Sequence, residues 1–172
     1  EVMGKIAARY RGRVQSWELW NEPDNREYWT GTAPELAALV QAGARAVRAV
    51  DPSALVVLGG LAARPQFLDE LFAAHAGNAF DVVNVHAYLE TWNANPIERI
   101  PDLVAEVEAI VRRHGGRQAL WMAEVGYGDQ RHGARVSAGV TATFAYEHTP
   151  EFQAVALVRT LVEILATPDV SL

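Results

Sequence analysis

The sequence predicts an α/β protein built on a parallel sheet, and three observations carry that expectation. Strand-like and helix-like segments alternate along all 172 residues. Each helical segment is long enough to serve as a crossover between parallel strands. Polar and aromatic residues collect where three of the strands end, which is where parallel folds keep their function. Both a doubly wound sheet and a (β/α)₈ barrel fit the alternation.

The elements follow in order. A helical stretch covers Val2 to Tyr10 with no start signal before it, so the chain reads as a piece of a longer protein. Val14 to Trp20 is the first strand and ends in the polar run Asn21-Glu22-Pro23-Asp24-Asn25. Thr32 with Glu35 three residues on forms a capping box, Pro34 sits in the first turn, and Asp51-Pro52 stops the helix. Ala54 to Leu58 is a continuous apolar strand ended by Gly59-Gly60, followed by a short helix from about Pro65 to Ala76. Asp81 to Tyr88 is the third strand, Pro101 to His114 the next helix, and Gln118 to Glu124 the fourth strand. A Gly-rich loop runs to Thr149-Pro150, a last helix to about Ala166, and Asp169 to Leu172 begins a fifth strand.

Composition narrows the function classes. Half of the residues are hydrophobic and 21% are charged, as in one globular domain, here residues 1–172, with a sizeable core. With 15 Lys+Arg against 21 Asp+Glu the net charge is −6, and no basic run is present, which argues against nucleic acid as partner. Without cysteine there is no disulfide, thiolate metal site or cysteine nucleophile. No segment reaches the ~18 consecutive apolar residues of a membrane span. The histidines show no metal-binding spacing and no glycine loop is built to cradle phosphate, so no metal or cofactor is expected.

Period-two parity sharpens the site. In the third strand Asn84, His86 and Tyr88 share a face opposite Val83, Val85 and Ala87, and a strand covered by helices must turn its apolar face outward. In the fourth strand Leu120, Met122 and Glu124 share a face, so Glu124 is expected to top an otherwise apolar inward column, with Trp121 pointing outward. Two carboxylates from different strand ends, Glu22 and Glu124, aimed into one cleft are the equipment of glycosidic bond cleavage. One protonates the leaving oxygen and the other attacks, and like-charge repulsion separates their protonation states.

The run Trp17-Glu18-Leu19-Trp20-Asn21-Glu22-Pro23 resembles the fourth-strand motif of the clan A glycoside hydrolases, most like family 39 or family 5. His86-Ala87-Tyr88 is similar to the sixth-strand His-x-Tyr pair, and Leu120 to Gly126 to the seventh-strand motif. The resemblance implies an incomplete (β/α)₈ TIM barrel covering about strands 4 to 7 and the start of strand 8. It implies Glu22 as general acid/base, Glu124 as nucleophile, Asn21 on the sugar hydroxyl beside the anomeric centre, and Tyr88 holding the nucleophile. The implied activity is retaining hydrolysis of an O-glycosidic bond in a β-linked oligo- or polysaccharide, in a secreted or extracytoplasmic setting. Strands 1 to 3 would lie outside the chain, so the chain alone is expected to be inactive. The alternative is a non-catalytic carbohydrate-binding protein on a degenerate barrel.

The remaining residues are weighed individually. His86 joins the site through its parity with Tyr88, whose phenol can donate to Glu124. Trp92 is the expected sugar-stacking platform, with Trp29 a second candidate, because an indole face suits the apolar face of a pyranose. Glu18 reads as a structural charge that needs a partner, an arginine on one of the strands outside the chain being one choice. The loop from Gly126 to Thr149, carrying Tyr127, Asp129, His132, Tyr146 and His148, would overhang the cleft.

Overall fold

In a computed structural model, which describes residues 1–62, 64–129 and 146–171, the chain forms a five-stranded parallel sheet in the order β1-β2-β3-β4-β5. The strands are β1 (Ser16–Leu19), β2 (Leu55–Leu61), β3 (Val82–Ala87), β4 (Ala119–Val125) and β5 (Val170–Ser171). The helices are α1 (Val2–Tyr10), α2 (Ala33–Val50), α3 (Phe67–Ala73), α4 (Ile100–Arg113) and α5 (Pro150–Ala166). Each strand pairs with the one before and after it in sequence. A doubly wound sheet would reverse its order at a switch point. The sequential order is that of an arc of a (β/α)₈ barrel. Among the described residues no helix is long and apolar enough to cross a membrane.

Local chemistry accounts for the helices. Thr32 Oγ1 accepts the Glu35 N–H while Glu35 Oε2 accepts the Thr32 N–H at 2.7 Å, the expected capping box of α2. Leu36, Val40, Ala44 and Val47 follow at helical spacing and are buried. In α4 the stripe is Ile100, Val104, Val107 and Val111, with Ile110 beside it. Thr149 caps α5 by accepting the Phe152 N–H. These stripes cover the outer face of the sheet, where Leu19, Val56, Leu58, Val83 and Val85 complete the core.

Two bulges break the regular register, one on each side of β3. Leu58 pairs with Val83 and Leu61 with Val85, so β2 carries one extra residue at Gly59-Gly60. Asn84 pairs with Trp121 and His86 with Glu124, so β4 carries another at Met122-Ala123. Both correct the strand reading. β2 does not end at Leu58 but runs on through Gly59-Gly60 to Leu61. Leu120 pairs with Val83, so Leu120 and Met122 pack outward under the helices and Trp121 faces inward. Glu124 faces inward only because the bulge resets the alternation. A strict period of two cannot register an inserted residue.

The connection from β3 to α4 is anchored from outside. The Glu90 side chain is 1% exposed, accepts the Ile97 N–H at 3.1 Å and pairs with Arg159 of α5 at 2.8 Å. Arg159 also grips Glu98, and these carboxylates raise its pKa above the ordinary arginine value. Arg159→Met would leave Glu90 buried and without its cation. The expected loss is about 3 kcal/mol in urea unfolding, most of it recovered in the double variant Glu90→Gln/Arg159→Met.

Candidate active site

The polar residues at the strand ends meet in one cleft of about 620 Å³, bordered by Asn21, Glu22, His86, Tyr88, Trp92 and Glu124. The backbone that delivers Glu22 is unusual. Trp20 (φ 78°) and Glu22 (φ 42°) are both in the left-handed region, where a residue with a side chain costs on the order of 1–3 kcal/mol. Several contacts hold this turn. Trp20 Nε1 donates to the Tyr28 carbonyl at 3.2 Å, and its ring meets Trp29 edge-on at 5.4 Å. Buried Asp24 accepts the backbone N–H groups of Ala62 and Arg64, tying the turn to the end of β2. Gly59 leaves room for the Trp20 carbonyl, which a Cβ there would strike.

His86 stands between the two carboxylates. Its Nδ1 lies 2.9 Å from Glu22 Oε1 and 3.4 Å from Glu124 Oε2. One atom from each of Glu22, His86 and Glu124 lies within 4.8 Å of the others, so one oxygen of each carboxylate reaches the same small space. The environments differ: the Glu22 side chain is 12% exposed and that of Glu124 44%. The three groups are near enough to share a cation. An Nδ1–H donating to the carboxylates and an Nδ1 lone pair ligating a cation are mutually exclusive uses of this atom.

Tyr88 donates its hydroxyl to Glu124 Oε2 at 2.9 Å. Burial, together with the carboxylate that its hydroxyl serves, pushes the Tyr88 phenol up to about 12. Thr91 and Trp92 both donate their N–H groups back to the Tyr88 carbonyl, turning the chain so that the Trp92 ring stands edge-on to Tyr88 at 6.5 Å. Trp92 is 47% exposed at the cleft wall, and Asn21 is exposed beside Glu22. Within this chain Glu18 Oε1 accepts the Gly60 N–H at 2.8 Å and Asn84 Nδ2 at 2.9 Å.

The structure thus brings Asn21, Glu22, His86, Tyr88, Trp92 and Glu124 together, and it leaves Trp29 out of the cleft. Trp29 packs against the core, with its Nε1 donating to the Thr32 carbonyl at 3.2 Å. His148 is buried, stacked on Tyr127 at 4.7 Å, with Nδ1 against the Gly128 carbonyl. His132 lies outside the described residues. Sequence reasoning places Asn84 on the inward face with His86 and Tyr88, but it does not identify Asn84, Gly60, Asp24 or Glu90 as residues that support the site. Gly60 has a legible signal, since glycine inside a strand marks a bulge or a close approach. A Cβ at Gly60 would fall on His86 Nε2.

With the geometry in hand, comparison with known proteins is informative. The family model described as Cellulase (glycosyl hydrolase family 5) matches residues 1–146. The chain belongs to glycosyl hydrolase family 5. Of the two families that its motifs resemble, this is the one matched. The family 5 chain shares its fold with a glucosidase from Croceicoccus marinus, at 20% identity and TM-score 0.70, covering 96% of this chain and 35% of that one. A β-glucuronidase from Bacteroides uniformis aligns at 16% identity and TM-score 0.65, over 97% of this chain and 20% of that one. For a β-xylosidase from Caulobacter crescentus CB15 the values are 18% and 0.62, over 99% of this chain and 36% of that one. The chain spans about a third or less of the length of these structures. No curated protein matches it.

Two expectations follow for this family 5 site. Gly60→Ala displaces His86, with a loss of about 1–3 kcal/mol in thermal or urea unfolding and altered His86 ring signals in NMR spectra. In a tyrosinate absorbance titration, read as the difference from Tyr88→Phe, Tyr88 ionises near pH 12 rather than near 10. A raised phenol pKa means that the folded state holds the proton longer. Its stabilising contribution is therefore complete below pH 10 and is lost as pH rises through about 12. Glu124→Gln lowers that value only part of the way, because burial, the largest cause, remains.

Proposed function

We propose that the chain carries the catalytic carboxylates of a retaining glycoside hydrolase acting on the O-glycosidic bonds of a β-linked oligo- or polysaccharide. The observation that carries this reading is the approach of Glu22 and Glu124, one oxygen of each within 4.8 Å, on either side of the His86 Nδ1 atom. Retaining enzymes keep their carboxyl groups about 5–5.5 Å apart, whereas inverting enzymes leave about 6.5–9.5 Å for a water molecule. One oxygen of each carboxylate within 4.8 Å of the other is close enough for both to act at a single anomeric carbon, in keeping with direct attack by a carboxylate.

Glu22 donates a proton to the leaving glycosidic oxygen while Glu124, the more open of the two, attacks the anomeric carbon. The C–O bond breaks, the leaving group departs as an alcohol, and a glycosyl ester forms on Glu124. Tyr88 holds Oε2 of Glu124, which orients the other oxygen toward the sugar. Glu22, now ionised, takes a proton from water as that water attacks the anomeric carbon; the bond from that carbon to the Glu124 oxygen breaks, and Glu124 is released as a carboxylate. Trp92 offers its exposed face to a sugar ring, and Asn21 is in reach of the hydroxyl beside the anomeric carbon. The family description and the glycosidase neighbours agree with a carbohydrate substrate.

The test is hydrolysis of a panel of nitrophenyl β-glycosides and cello-oligosaccharides, by the chain alone and by any longer natural polypeptide containing it. Glu22→Gln is expected to lower turnover about 10²–10⁴-fold, least for the best leaving groups. Glu124→Gln is expected to abolish turnover while binding, followed by isothermal titration, persists. Binding without cleavage in the unmutated longer polypeptide would favour a carbohydrate-binding role instead. Retained turnover in Glu124→Gln would remove the nucleophile assignment.

A further inference from the structure

Asn84 is wholly buried at the inward face of β3, and each of its amide groups has a partner. Its Oδ1 accepts the Ala123 N–H at 3.0 Å, inside the β4 bulge. Its Nδ2 donates to Glu18 Oε1 at 2.9 Å, and the same oxygen is held by the Gly60 N–H at 2.8 Å. A backbone N–H can only donate, so the amide cannot be turned over. The flipped form would set Nδ2 against a donor and Oδ1 against a carboxylate.

The second N–H of Nδ2 meets His86 Nε2 at 3.3 Å. Because that nitrogen faces a donor, it must present its lone pair, and the ring proton must sit on Nδ1. Nδ1 in turn faces Glu22 Oε1 at 2.9 Å and Glu124 Oε2 at 3.4 Å. The other oxygen of Glu22, Oε2, faces Asn25 Nδ2 at 3.4 Å, and the Asn25 amide is fixed in the same way by the Glu27 N–H on its Oδ1. Glu22 therefore meets a ring N–H at Oε1 and an amide N–H at Oε2. The contact at Oε2 is the longer and weaker of the two, so Oε2 is the oxygen better able to carry a proton toward a ligand.

We propose that Asn84 is a positioning residue that holds His86 in the Nδ1–H tautomer, so that His86 can only donate to the two carboxylates and the transferable proton of Glu22 is favoured on Oε2. The second half rests on the acid/base reading of Glu22, and the first half does not. With the opposite tautomer, Nδ1 would accept from Oε1–H and draw the acid proton away from the leaving group.

The experiment is long-range proton–nitrogen NMR of the ¹⁵N-labelled chain, with the His86 signals assigned by their loss in His86→Gln. The unmutated protein is expected to show Nδ1 protonated and Nε2 bare. A His86 that carries its proton on Nε2, or on both nitrogens at neutral pH, overturns the proposal without recourse to any variant. Asn84→Asp keeps an acceptor for the Ala123 N–H but sets a carboxylate oxygen against Nε2, so the proton is expected to move to Nε2. An unchanged tautomer in a folded Asn84→Asp protein overturns the role of Asn84. In an active polypeptide the same variant is expected to lose kcat with KM little changed. An active polypeptide that has the Nδ1–H tautomer and keeps its turnover in Glu22→Gln refutes the acid/base reading of Glu22 and leaves the Asn84–His86 assignment standing.

Discussion

The amide of Asn84 is the joint around which this half of a barrel is arranged. It fills the bulge in β4, reaches the carboxylate of Glu18 on β1 and touches the ring of His86 on its own strand. Three strands are thereby tied through one buried side chain. A buried amide with all its partners in place stabilises modestly, but leaving any partner unmet costs about 1–3 kcal/mol. The arrangement is therefore specific: it admits one register of β4 against β3, and that register turns Glu124 toward Glu22.

The two bulges serve the same end from opposite sides. In β2 the extra residue is a glycine, and its missing side chain is the space that His86 occupies. In β4 the extra residue frees an N–H for Asn84 and changes the face of every residue after it. Strain is stored one strand away, at Trp20 and Glu22, where two left-handed residues turn the chain at the end of β1. The Trp20–Trp29 contact and the Asp24 carboxylate hold that turn from outside the cleft. The loop bearing Trp92 is held likewise, by the buried Glu90 and its ion pair with α5.

Much of this is legible in the chain itself. The Thr32–Glu35 capping box, the proline starts of the helices and the apolar stripes are local chemistry, and they appear in the structure where the sequence places them. The alternation of Asn84, His86 and Tyr88 against Val83 and Val85 also survives, because β3 has no bulge of its own and its neighbours adjust to it. The parity of β4 does not survive. Leu120 and Met122, expected inward, lie outward, since the residue inserted after Trp121 leaves no mark in an apolar run. Trp29 reads from sequence as a second sugar-stacking candidate, whereas its position against the core depends on how the segment before α2 folds back onto that helix.

By itself the sequence determined the α/β class, the order of elements, and which residue types stand at the strand ends. All of these depend on neighbours a few positions away, through capping, turn stops and hydrophobic period. Only the tertiary structure decided that the strands pair in sequential order, that Glu22 and Glu124 approach across one histidine, and that Asn84 and Gly60 support that histidine. These are relations between strands far apart in the chain. They are set by register, bulges and the space left by a missing side chain, which local pattern does not encode.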